Sequence, residues 1–397
     1  MQRKGGGPGE HDNTTGGFEL AKKEALTKEE ILFKAITDIK QKFGEGAIMR
    51  LGEKTNMDIE VIPTGVLPLD VALGIGGIPR GRVVELYGPE GGGKTTIALH
   101  IIAEAQKAGG VTAFIDAEHA LDPGLAAAIG VDTANMYISQ PDSGEQAFFI
   151  IDSLVRSGAV DLIVVDSVAA LTPQGEIDGK IEDGPNKSVG LHARLMSYAL
   201  RRLTSVIAKS RTTVLFINQL RSLISTGYSS GPTETTTGGR ALKFYSSVRI
   251  EVRRASPLTR NDVPIGHELK IKVTKNKQAP PFRTANTTLI YGKGVPVSMA
   301  VLDMALEMNV VKRKGSWIAY RGETLAQGKD ATAEHLQKHP DLMEEIKKEV
   351  LAKVAEANGL VTGKSDEADG SADTENPLDE SILDEDAITM NIDLPTS

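Results

Sequence analysis

The chain has 397 residues, 40% of them hydrophobic and 25% charged, a net charge of −8 and no cysteine. That length exceeds one ordinary compact core, so a main domain with an appended module is expected. No apolar run approaches the roughly 18 residues of a membrane span, and without cysteine any metal must be held by oxygen or imidazole.

The opening MQRKGGGPGEHDNTTGG is polar and Gly-rich, unlike an export signal. Residues 1–26 are expected to be a disordered tail on a cytoplasmic protein. Leu32, Ala35, Ile36, Ile39 and Phe43 then follow helical spacing, with Thr27 as N-cap and Glu30 three residues on. Residues 27–60 read as a helix and strand arm, set apart by the Gly-rich run GEGAIMRLGE. The helix either packs on its own domain, which periodicity alone favours, or docks onto a neighbouring copy.

Residues 61–296 form the predicted core. Short β-branched runs VVELY (83–87), VTAFIDAE (111–118), LIVVDS (162–167) and TTVLFINQ (212–219) alternate with helix-like stretches. Near-continuous apolar strands of this kind are buried on both faces, which predicts an α/β fold with a mostly parallel sheet wrapped by helices. After Gln219 come strands VRIEV (248–252), HELKIKVTK (267–275) and TTLIY (287–291) with little helix between, read as an antiparallel extension. Two Gly-rich, Ser-rich or Thr-rich loops interrupt this core, at 176–189 and 220–239. From 297 to about 360 a compact stretch with the only tryptophan, Trp317, is expected to be a small α/β module.

Residues 361–397 carry eleven acidic side chains against Lys364, a balance of −10 that leaves +2 for residues 1–360. The composition predicts a disordered segment. It is either a solubilising tail or an intramolecular competitor for a basic surface.

The chemistry is clearest at GPEGGGKTT, residues 88–96, which fits G-x-x-x-x-G-K-[ST] directly after a strand and before a helix. Gly88, Pro89, Glu90, Gly91, Gly92 and Gly93 shape a loop whose peptide N–H groups close around phosphates, continued by Lys94, Thr95 and Thr96. Lys94 is placed to reach the β and γ oxygens of ATP, and the Thr95 hydroxyl to hold Mg²⁺. Asp166 ends the apolar strand LIVV and is read as the second cation-holding group. Glu118, just past VTAFID, is either the carboxylate that activates the attacking water or an exposed loop residue. Gln219 ends TTVLFINQ at the root of the second loop, where a γ-phosphate contact would order that loop with ATP and release it afterwards. Arg194, Ser197 and Arg201 share one helix face, and Arg221 and Arg240 flank the second loop, a set suited to phosphodiester contacts or to an ordinary solvated surface.

With GEGAIMRLGE, GPEGGGKTT, FIDAEHALDP, VVDSVAALTP, INQLR, TTTGGRALKFYSSVR and KNK on the page, the chain resembles the bacterial RecA recombinases from about residue 27 to 360. The resemblance implies a P-loop NTPase core of RecA type, with Glu118 catalytic and Gln219 coupling ATP to DNA. It implies that Lys275 and Lys277 reach the γ-phosphate of a neighbouring copy, that Phe244 lies at that interface, and that Asp122, Tyr291 and Gly292 surround adenine. Both loops would line a filament axis, with Val189, Arg194, Ser197, Arg201, Arg221, Gly238, Gly239 and Arg240 toward single-stranded or double-stranded DNA. It further implies DNA repair, homologous recombination, self-assembly into a helical filament, and self-cleavage of a LexA-type repressor on that filament. The chain departs from the usual pattern at several places: Leu125 replaces an adenine-stacking aromatic, GPEGGGKTT stands for the commoner GPESSGKTT, the first loop is longer with Val189 in place of a wedge residue, the positions after Arg221 differ, and Arg240 replaces a small polar residue. A ring-forming motor and a small-molecule kinase are the rival readings.

Overall fold

The computed structural model describes residues 27–50, 59–179, 190–222 and 234–357. Helix α1 (Lys28–Phe43) starts at a capping box in which Thr27 and Glu30 satisfy each other's backbone N–H groups. Among the described residues none of its side chains is buried, and Ile31, Leu32, Phe33 and Phe43 are all exposed. Packing on its own domain, which periodicity favours, is not seen among the described residues. A 3₁₀ turn at Glu45–Ala47 follows. The predicted strand of this arm is not found among the described residues up to 60, and residues 51–58 lie outside them.

The core opens with β1 (Val61–Ile62), α2 (Leu67–Leu73), β2 (Ile78–Pro79) and β3 (Val83–Gly88). It continues through α3 (Lys94–Lys107), β4 (Thr112–Asp116), α4 (Pro123–Ile129), β5 (Tyr137–Ser139), α5 (Gly144–Ser157) and β6 (Leu162–Asp166). Then come α6 (Gln174–Ile177), α7 (Leu191–Ser210), β7 (Thr213–Ser222), β8 (Glu234–Thr236), α8 (Ala241–Tyr245), β9 (Val248–Arg260), β10 (Val263–Asn276) and β11 (Thr284–Ile290). The main sheet has the order β11-β10-β9-β3-β7-β6-β4-β5, with β8 added to β7. Alternate residues of each central strand face opposite layers. Val84, Leu86, Val164 and Leu215 pack with α2, α3 and α4, while Val83, Ile163, Val165 and Phe216 pack with α5, α7 and α8. This double burial is why the strands read as apolar runs.

Four predicted boundaries shift. β9 pairs in parallel with β3, so the antiparallel extension begins only at β10. β9 and β10 are far longer than the apolar runs and form one hairpin through Asn261 and Asp262, both at positive φ. Those two residue types tolerate that conformation, and the outer hairpin is polar because it leaves the core. The second loop is shorter than residues 220–239, because Leu220–Ser222 pair antiparallel with Glu234–Thr236 and residues 223–233 lie outside the described set. The first loop begins in the short helix α6, and its residues 180–189, Val189 included, are also outside it.

The last module comprises α9 (Val297–Glu307), the antiparallel sheet β12 (Val311–Lys314), β13 (Trp317–Tyr320) and β14 (Glu323–Gln327), then α10 (Lys329–Lys338) and α11 (Pro340–Ala357). Its core, including Met299, Leu302, Ile318, Leu336 and Ile346, also takes in Leu67 of α2. The module is thereby docked on the main domain through shared apolar packing. Residues 1–26 and 358–397, including both predicted tails, lie outside the described residues. No helix among the described residues is long and apolar enough to cross a membrane.

Candidate active site

β3 delivers the chain to Gly88, and the loop Pro89–Gly93 turns it into α3. Gly93 has φ 86°, and a Cβ there would stand 2.9 Å from Leu289 and 3.2 Å from Leu269, so both backbone and space demand glycine. Lys94 is buried and folds back over the loop, its Nζ donating to the Pro89 carbonyl at 2.7 Å. Burial lowers its pKa, with Asp166, Glu118 and Glu90 pulling the other way. The Thr95 hydroxyl donates to Asp166 Oδ2 at 2.7 Å, and burial pushes the Asp166 carboxyl up to about 6. A hydroxyl and a desolvated carboxylate side by side at a phosphate loop are hard oxygen donors, the set that suits Mg²⁺.

Glu118 is not a free loop residue. Its Oε1 accepts from Gln219 Nε2 at 2.8 Å and from the Ser167 hydroxyl, so one donor within β7 and one just after β6 hold it. The turn that carries it is organised by buried Asp116, which accepts from the Ala120 N–H at 3.1 Å and from Gln140 Nε2 at 3.0 Å. The Ala117 N–H donates to the Asp166 carbonyl at 2.8 Å, which locks the ends of β4 and β6 together. Ser167 escapes the sequence reading; the only hint is its place directly after Asp166. The site thus brings Lys94 and Thr95 at the start of α3 together with Glu118 just past β4, Asp166 of β6 and Gln219 of β7 at the carboxyl edge of the sheet, where open α/β sheets bind ligands.

The other predicted residues fall into three groups. Asp122 caps α4, accepting from the Gly124 and Leu125 N–H groups at 2.8 and 3.2 Å, and Leu125 packs partly into the core instead of standing as a platform. Tyr291 is 45% exposed, with its hydroxyl 3.3 Å from His267 Nδ1, and Gly292 lies in the turn that follows. That turn is tied to the phosphate-loop helix, because His100 Nε2 accepts from the Val295 N–H at 2.8 Å.

Lys275 donates from Nζ to the carbonyls of Lys243 and Phe244 at 2.7 and 3.1 Å, closing the end of α8, and the Lys277 N–H donates to the Ser247 carbonyl. In the single chain the Lys275 ammonium is therefore engaged beside Phe244, whose ring is 70% exposed.

On the third face, Arg194 and Arg201 are exposed and Ser197 half-exposed along α7. Gly238 and Gly239 end the second loop at φ 87° and 72°, and a Cβ on either would press on Val168 or Ala193 at 3.1 Å. Arg240 is exposed at the start of α8. Arg221 lines a cleft with Thr172, Glu176, His192 and Thr236, and the His192 ring is 3.0 Å from the Val168 carbonyl.

The model of the RecA N-terminal domain matches residues 30–296, and that of the RecA C-terminal domain matches 299–355. The chain belongs to the RecA family. Protein RecA of Streptomyces coelicolor is 54% identical to it over 327 residues, covering 82% of this chain and 86% of that protein. Protein RecA of Fusobacterium nucleatum is 50% identical over 366 residues, covering 92% and 95%. Protein RecA of Nostoc is 51% identical over 353 residues, covering 88% and 97%. RecA similarity thus spans both the ATPase core and the C-terminal module, and the phosphate loop and the loop roots lie within it.

Proposed function

We propose that this RecA-family chain is an ATP-dependent DNA recombinase that polymerises on single-stranded DNA and couples hydrolysis to homologous pairing and strand exchange. The observation that carries this reading is the hydrogen bond from Gln219 to Glu118. It joins the carboxylate of the phosphate site to the first residues of the second loop's stem, so the phosphate end and the loop share one strand.

Glu118 is the general base for the attacking water, fixed by Ser167 and Gln219 until a γ-phosphate competes for the Gln219 amide. Lys94 and the loop N–H groups hold the phosphates. Thr95 and Asp166 would hold Mg²⁺, which when bound would supply charge neutralisation for the transferring phosphoryl group. Lys275 and Lys277 act in trans on the neighbouring copy's γ-phosphate. Adenine lies between the Asp122 and Tyr291–Gly292 sides, with no aromatic platform from Leu125.

The self-partner is favoured by exposed apolar surface at three places: the unpacked helix α1, the edge strand β5 with Tyr137 and Ile138 exposed, and Phe244. Patches of this kind mark interfaces. DNA lies along the two loops, with Arg194, Ser197, Arg201, Arg221, Gly238, Gly239 and Arg240 toward phosphates, and the filament promotes cleavage of a LexA-type repressor in the SOS response. The site of action is the cytoplasm. The test is ATP hydrolysis with and without single-stranded DNA, together with electron microscopy of the complex. Stimulated hydrolysis with helical filaments is expected; closed rings would assign a motor instead, and indifference to DNA a kinase.

A further inference from the structure

Glu85 is the one charged side chain in β3, and it is fully buried. A carboxylate in that position is tolerated only when its oxygens are satisfied. Arg249 of β9 donates from Nε to Oε2, and Asn218 of β7 donates from Nδ2 to Oε1 at 2.9 Å. Arg249 is itself fixed, with its guanidinium carbon 4.4 Å from the Tyr87 ring centroid. The Tyr87 hydroxyl donates to Thr274 Oγ1 at 2.9 Å, and that hydroxyl in turn donates to the Arg249 carbonyl at 3.3 Å. The Glu85–Arg249 pair is thus a rigid post inside the sheet.

What the post holds is Asn218. This residue is fully buried, and its amide has a second use for the same nitrogen: Nδ2 also donates to the Thr237 carbonyl at 3.0 Å. Its Oδ1 accepts from the Gln219 N–H at 2.9 Å. One side chain therefore touches the return strand of the second loop, the residue whose amide rests on Glu118, and the buried post. Only an amide offers two donors and an acceptor at this reach. Thr237 lies between β8 and the Gly238–Gly239 pair, so a displacement of the loop's return strand is transmitted to Asn218 and through it to the Gln219 peptide.

We infer that Asn218, anchored by the Glu85–Arg249 pair, is a positioning residue that makes the second loop and the Gln219 amide move as one unit. The inference rests on the proposed role of Gln219 in sensing the γ-phosphate. It adds that sensing reaches the DNA-gripping loop through both of its strands, the outgoing one by covalent continuity and the returning one by the Asn218 bond to Thr237.

The test uses Asn218→Asp in the full chain. The substitution keeps the shape and the acceptor for the Gln219 N–H, loses both donated hydrogen bonds, and sets a second carboxylate against Glu85. Dissociation constants for a fluorescent oligo-dT are measured with a slowly hydrolysed ATP analogue and with ADP, alongside nucleotide affinity and thermal melting. Wild type is expected to bind oligo-dT at least tenfold tighter with the ATP analogue. Asn218→Asp is expected to keep nucleotide affinity and ADP-state DNA affinity within twofold, while the tightening falls below twofold. A variant that melts earlier yet keeps the full tightening would reduce Asn218 to a packing residue and overturn the inference. If Asn218→Asp does not fold, Glu85→Gln is measured in its place. It retains volume but leaves one acceptor for two donors, and an unchanged ratio there overturns the inference equally. A wild-type chain that grips DNA alike with both nucleotides would overturn the sensing role of Gln219 itself.

Discussion

Glu118 concentrates the chemistry at the scale of single residues. Its two donors, Ser167 and Gln219, lie 49 and 101 residues away in the chain. Glu118→Gln is expected to lower hydrolysis by about 10²–10³-fold, in the range of a lost general base, while equilibrium ATP binding stays close to wild type. Nucleotide titration beside steady-state hydrolysis checks the split; an equal loss in both would make Glu118 a binding group. Ser167→Ala removes one of two orienting hydrogen bonds and is expected to cost about tenfold, the lower end of the roughly 1.5–3 kcal/mol of a hydrogen bond to a charged group. What was legible here followed local spacing. The phosphate loop is a contiguous motif, so Lys94 and Thr95 were readable, and Asp166 stood at the end of an apolar strand. Ser167, Asn218, Glu85 and Arg249 act through contacts that span up to 164 residues, and no periodicity encodes those.

Among elements, β7 carries the proposed coupling. β7 runs from the buried sheet past Gln219 into a stem with β8. Its apolar half was visible in the sequence, whereas the stem is polar and short and read as loop. The β9–β10 hairpin was hidden for the same reason, since hydrophobic pattern records burial and its outer half is exposed. α3 is bound to the turn before α9 by His100, which is buried and whose pKa is lowered to about 4, chiefly by that burial. The imidazole must stay neutral to accept from Val295. The unfolded chain takes up a proton below about 6.5 and the folded one only near 4, so this contribution is complete above 6.5 and is lost as the pH falls toward 4. Wild type is expected to lose melting temperature across that window, and His100→Leu to flatten the slope while melting lower at pH 8, because the buried Val295 N–H is left unpaired. Thermal scans at pH 4.5 and 8 decide it; an unchanged slope would place the acid sensitivity elsewhere.

For the whole molecule, the conspicuous property is apolar surface left exposed among the described residues. α1 exposes Ile31, Leu32, Phe33 and Phe43, and the Phe244 ring stands out beside Lys275. Deleting residues 27–50 is expected to abolish long assemblies and DNA-stimulated hydrolysis together, since the proposed role of Lys275 and Lys277 in trans needs a neighbouring copy; Phe244→Ala is expected to shorten assemblies at equal protein concentration. Light scattering and hydrolysis on the same samples check both. Removing residues 361–397 strips −10 of charge and is expected to strengthen duplex DNA binding at low salt, with the gap closing as salt screens it. The most direct measurement on the molecule is the affinity of the intact chain for a single-stranded oligonucleotide with saturating ATP analogue and with saturating ADP. Binding at least tenfold tighter in the triphosphate state is predicted, and equal binding in the two states would contradict the coupling from the phosphate site to the DNA loops.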